Sequence, residues 1–106
     1  MRKIEAQMNT AVQNRVCWKS GNTQVIYSAI RGTSEVFLHN NLIATVSLTG
    51  EVQIRDGGWQ STTTKSRLNA LLSSTVPNTR VFAKAFEWFV SSRGETVEFE
   101  SGMIVS

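Results

Sequence analysis

The chain has 106 residues, 41% of them hydrophobic and 18% charged, with a formal net charge of +3. That is enough for one domain, residues 1–106, with a modest core, and the chain is too apolar for disorder; no apolar run approaches the ~20 residues of a membrane helix. One cysteine, Cys17, and one histidine, His39, exclude an internal disulfide and cannot by themselves fill the usual zinc ligand sets.

The first residues, Met1-Arg2-Lys3-Ile4-Glu5-Ala6-Gln7, carry charge but no apolar core of a signal peptide, so a cytoplasmic setting is expected. Ile4, Met8 and Val12, with Ala11 beside them, recur at helical spacing and predict a short amphipathic helix over residues 2–13. Arg2 and Lys3 at its start could serve as a basic arm. Val16-Cys17-Trp18-Lys19 reads as an apolar closure, and Ser20-Gly21-Asn22 as a turn.

Alternating apolar residues then predict four strands, about 23–30, 34–38, 42–47 and 51–56. A tight turn at Arg31-Gly32 pairs Tyr27 with Val36 and Val25 with Leu38. A three-residue loop His39-Asn40-Asn41 pairs Leu38 with Leu42, Phe37 with Ile43 and Val36 with Ala44. A three-residue loop Leu48-Thr49-Gly50 pairs Val46 with Val52 and Ala44 with Ile54. One face of this meander is then a continuous core face. The other carries Ile26, Phe37 and Ile43 in a row with Arg55. Three large apolar side chains need cover, either from the N-terminal helix or from a second subunit, so Ile26, Phe37 and Ile43 are the candidate oligomer interface.

The stretch Gly57-Gly58-Trp59-Gln60-Ser61-Thr62-Thr63-Thr64-Lys65-Ser66-Arg67-Leu68 changes the period from strand to helix. The glycine pair breaks the strand and Ser61, Thr62 or Thr63 caps a helix. Leu68, Leu71 and Leu72 share one face, and Thr75-Val76-Pro77 stops it, giving a helix near 63–74. Lys65 and Arg67 lie in its first turns, where the helix dipole favours negative charge. Two readings follow: both splay into water, or an anion such as phosphate docks there. Arg55, Trp59, Thr63, Lys65 and Arg67 are therefore the candidate nucleic-acid contacts. The cations and hydroxyl would meet phosphate, and Trp59 would stack a base or else plug the end of the sheet.

Beyond Pro77, a strand over about 82–91 turns at Arg93-Gly94 into 96–100 and continues to Met103-Ile104-Val105. This pairs Val90 with Val97, Trp88 with Phe99, Phe89 with Glu98 and Glu87 with Glu100. A helix over 80–91 is the competing reading, because Val81, Ala85, Trp88 and Phe89 also share a face. The class is α+β: a strongly bent antiparallel sheet or small open barrel with an N-terminal helix and a second helix near 63–74.

The charge is uneven. Residues 1–84 hold ten basic and four acidic residues, a balance of +6; residues 85–106 hold Arg93 against Glu87, Glu95, Glu98 and Glu100, a balance of −3. That asymmetry suits a polyanionic partner or self-association. There is no Gly-x-Ser-x-Gly elbow, no Gly-x-Gly-x-x-Gly loop and no Walker A spacing around Lys65-Ser66, and no cofactor is expected.

The run GGWQSTTTKSRLNALL resembles a segment of small tailed-bacteriophage and marine-metagenome proteins. The likeness extends to Trp18 with Gly21-Asn22-Thr23, to Phe37-Leu38-His39-Asn40-Asn41-Leu42-Ile43-Ala44, and to Phe99 with Gly102-Met103. It implies a phage protein working in host cytoplasm. It also suggests similarity in fold to Sm-like RNA-binding barrels, although the two Sm signature motifs are missing and the helix at 63–74 is an added element. The expected function is a non-enzymatic, self-associating module that binds RNA or single-stranded DNA. The alternative is a structural or regulatory protein that grips a host protein.

Overall fold

The computed structural model describes residues 1–105. Its first element is helix α1, Lys3–Asn14. Met8, Ala11 and Val12 bury the expected stripe, and Arg15 ends the helix in the left-handed region, its N–H donating to the Ala11 and Val12 carbonyls. The segment expected to close the helix is instead a short strand, β1 (Trp18–Ser20), followed by β2 (Thr23–Ser28), β3 (Thr33–Leu38), β4 (Asn41–Ser47) and β5 (Val52–Ile54). Helix α2 spans Thr62–Thr75, and β6 (Thr79–Lys84), β7 (Glu87–Ser92), β8 (Glu95–Glu98) and β9 (Met103–Ile104) complete the chain.

The strands form two antiparallel sheets, one of six strands in the order β1-β2-β3-β4-β5-β9 and one of three, β6-β7-β8. Neither closes into a barrel, and the α+β class stands. The pairs Val46–Val52 and Ala44–Ile54 lie where the alternation put them, around a Gly50 with φ of 89°. Two registers differ. The β2–β3 connection uses four residues, Ala29 to Gly32, with the Gly32 N–H donating to the Ser28 carbonyl, so Val25 faces Val36 and Tyr27 faces Ser34. That slip of two residues keeps every side chain on its expected face.

The second difference does not. His39 and Asn40 both take positive φ, 50° and 66°, and make a two-residue turn. Leu38 then pairs with Asn41 and Phe37 with Leu42, while Val36 still pairs with Ala44. Ile43 is the surplus residue of a bulge, and consecutive Ile43 and Ala44 are both buried. Ile43 thus leaves the outer row and enters the core.

The last third of the chain departs most from the expected pattern. The predicted strand 82–91 is broken by a turn at Ala85-Phe86, so β6 and β7 pair as a hairpin, and residues 80–91 contain no helix. Val90–Val97 and Phe89–Glu98 pair as expected, and Trp88 meets Phe99 edge to face at 5.3 Å. Met103 and Ile104 do not extend that hairpin. They cross to the larger sheet and pair with Ile54 and Gln53.

Both helices lie on the core face of the large sheet, over Val25, Val36, Ala44, Val52 and Ile54. The expectation that α1 covers the Ile26–Phe37 row is therefore corrected. Glu5 touches Ser66 and Arg67, and Asn9 donates to the Ala70 carbonyl, so α1 and α2 run in the same direction. Strand β6 returns along α2, docked by Asn69, whose side-chain amide donates to the Val81 carbonyl at 2.8 Å and accepts the Val81 N–H at 2.7 Å.

Candidate nucleic-acid interface

The segment that links the large sheet to α2 is set by its two glycines. Gly57, at φ 69°, passes so close to β4 that an added Cβ would come within 3.2 Å of Asn41 and Ile43 side-chain atoms. The Asp56 carboxylate accepts the Gly58 N–H at 2.8 Å and holds the turn. Ser61 caps α2 by accepting the Thr64 N–H at 3.0 Å, and its hydroxyl shares a 2.9 Å hydrogen bond with that of Thr64. Thr64 is buried, Thr63 half-buried and Thr62 exposed.

Trp59 stands 74% exposed at this corner. The plug reading is overturned: a side chain this exposed lies outside the buried core and seals nothing. Lys65 is half-buried one turn into α2. Arg55 is half-buried at the end of β5; its Nη2 donates to Gln53 Oε1 at 3.1 Å, while its buried Nε has no partner among the described residues. Since α1 runs parallel to α2, exposed Arg2 and Lys3 lie at this same end of the molecule. None of these four cations has a carboxylate within 4 Å; the one ion pair among the described residues is Arg67–Glu5.

Arg67, a candidate phosphate contact on sequence, points inward instead. It and Glu5 are each 4% exposed at the side chain and meet at 2.8 Å. Arg67 also donates through Nε to Thr23 Oγ1 at 3.0 Å and through Nη2 to Asn22 Oδ1 at 3.4 Å, and the Ser66 hydroxyl donates to Glu5 at 2.6 Å. Burial pushes the Glu5 carboxyl up. The hydrogen bonds from Ser66, Arg67 and the Arg2 backbone, with the Arg67 charge, more than offset it and hold the group below the usual carboxylate value. The pair is structural: it ties α1, α2 and β2 together. No local signal marked the pair, because its two members lie 62 residues apart in the chain.

The candidate oligomer row is also divided. Ile43 is 1% exposed, Phe37 half-buried and Ile26 38% exposed, with Gln24 rather than Ile26 opposite Phe37. His39 is an exposed turn residue, and no three His, Cys, Asp or Glu residues among those described could hold a metal ion.

Fold and surface together define a small α+β protein that exposes an aromatic ring, Trp59, at the end of the molecule where Arg2, Lys3 and Lys65 stand without carboxylate partners. A profile of the Kyanoviridae Gp96 protein family matches residues 1–106, and the chain belongs to that family of tailed-phage proteins. No curated protein and no solved structure matches it.

Proposed function

We propose that this phage protein is a non-enzymatic module that binds RNA or single-stranded DNA in the host cytoplasm. The observation that carries the reading is Trp59, a large ring left 74% exposed at the start of α2. Such a ring stacks on any base, and Arg2, Lys3, Arg55 and Lys65 supply the phosphate contacts at the same end. Thr63 offers a further hydroxyl at the first turn. Arg67 has no part in it.

The test is fluorescence anisotropy of labelled oligouridine and oligothymidine across a salt series. Four phosphate contacts give a slope of log affinity against log salt of about −3. Trp59→Ala should weaken binding by roughly 5–100-fold at constant salt, the effect of losing one stacked base. Absent binding, or binding that ignores both salt and Trp59, overturns the reading. Docking on a host protein is the second reading, favoured by Ile26 and Phe37 on the uncovered face of the large sheet. Oligonucleotide indifference with retained capture of a host protein by Phe37, lost in Phe37→Glu, would select it.

A further inference from the structure

A polar cleft of about 290 Å³ lies between two neighbouring turns of the large sheet, walled by Lys19, Gly21, Asn22, Gln24, His39 and Asn40. The His39 N–H donates to the Asn22 carbonyl at 2.8 Å and ties the two turns together. Lys19, Gln24 and Phe37 form one cross-strand row on the outer face, because their neighbours Val25 and Val36 face the core. Asn22 is held in one orientation. Its Oδ1 accepts from Thr23 Oγ1 at 2.8 Å and from Arg67 Nη2 at 3.4 Å, which leaves the Nδ2 donors unused. Among the described residues, the side chains of Lys19, Gln24, His39 and Asn40 have no hydrogen-bond partner or counter-ion. No acid lines the cleft. Glu35, on the same face of β3, sits two residues before Phe37 and opposite Ile26.

We infer, on the strength of the Trp59 reading, that this cleft holds one nucleotide of the strand that stacks there. The base edge lies on the Asn22, Gln24 and Asn40 amides, and the phosphate on Lys19. Chemistry selects this ligand. Neutral amides present donors and acceptors side by side, as a base edge does, and the Phe37 ring stands next to Gln24. One cation suits one phosphate. A bare anion would use Lys19 and leave the Gln24 and Asn40 acceptors unmatched. The volume sits at the lower end of the roughly 300–1,000 Å³ of ligand sites, which suits a single splayed base. Placement agrees with the chemistry. Gly57 packs against Asn41, the neighbour of Asn40, so the Trp59 corner and the cleft flank the same β3–β4 turn. Arg67 touches no nucleotide; it holds Asn22.

Two substitutions separate recognition from structure. Asn22→Asp keeps an oxygen for Thr23 and Arg67 and exchanges the unused Nδ2 for a second oxygen. A purely structural Asn22 predicts unchanged binding and a fold at least as stable. Gln24→Met removes an amide that has no partner in the protein and changes no charge, so simple repulsion of phosphate does not enter.

The experiment is heteronuclear NMR of the full chain with oligouridine of about four to eight nucleotides, beside the anisotropy salt series. The Asn22, Gln24 and Asn40 side-chain amide signals should shift together with the Trp59 indole signal. A fifth phosphate contact should steepen the salt slope from about −3 to about −3.5, and Lys19→Ala should remove that increment. Asn22→Asp and Gln24→Met should each lower affinity about 3–10-fold, the effect of one lost hydrogen bond. Amide signals that stay still while the indole moves overturn the inference and leave the Trp59 reading standing. Amide signals that move while the indole stays still keep the cleft and remove Trp59. Shifts reproduced by inorganic phosphate alone, or affinity indifferent to Gln24→Met, overturn the cleft as a base site.

Discussion

The two sheets of this protein solve the same problem with different residues. In the large sheet, the tight β3–β4 turn uses His39 and Asn40, types that tolerate positive φ, and the β4–β5 turn uses Gly50. The small sheet turns from β6 to β7 on Ala85 and Phe86, at φ of 53° and 67°, where each Cβ costs about 1 kcal/mol or more. The large sheet buries a full face under two helices. In the small sheet every residue of β8 is exposed, and the sheet is held by the Asn69 amide, the Trp88–Phe99 contact and a Thr79–Ser92 hydroxyl pair. The difference teaches that stability is concentrated in one half, and that local opening should begin in the other.

The comparison can be broken most forcefully from the large half. Arg67→Ala leaves Glu5 buried without its counter-ion and should cost about 3–5 kcal/mol. Urea unfolding should show one cooperative loss of the whole molecule, and Glu5→Leu with Arg67→Met should recover much of it. A loss below about 1 kcal/mol would mean that the pair is not the tie between the helices.

Asn69→Ala tests the small half. It strands the Val81 N–H and carbonyl and should cost about 1–3 kcal/mol. Amide exchange should rise across residues 79–98 while β2 to β5 stay protected. Uniform loss of protection would erase the distinction between the sheets. Smaller and of opposite sign, Ala85→Asn with Phe86→Gly supplies the residues that a primed turn favours and should raise stability by about 1–2 kcal/mol.

The smallest effect is in pH. Because the folded Glu5 carboxyl lies below its ordinary value of 4.5, its contribution is fully present above that value. It is lost as pH falls further, through the folded value. Glu5→Gln should flatten that part of the acid limb, read as the urea midpoint from pH 6 down to pH 3. An unchanged limb would show that Glu5 does not carry it.

Much of the large sheet and of α2 was legible. A hydroxyl cap among Ser61, Thr62 and Thr63, Leu68, Leu71 and Leu72 as the buried face, and the Val46–Val52 register all follow from local spacing, and the structure selects Ser61 as the cap. What was not legible depends on choices between near-equal local options. Nothing local marks Ile43 as the surplus residue of a bulge, and that one residue moves it from the surface to the core. Ala85-Phe86 carries no turn signal at all, so alternation ran straight through it. In the candidate site, the cation density grouped Lys65 with Arg67 but could not separate the half-buried Lys65 from the buried Arg67. Their difference is made by Glu5, 62 residues away.

That separation also has a consequence during synthesis. At roughly 5–20 residues per second, Glu5 waits about 3–12 s for Arg67 to be made. Until then α1 has neither its counter-ion nor its helix partner, and an isolated 12-residue helix is marginal in water. Helix α1 therefore stays open to chaperones or to early partners until α2 has emerged.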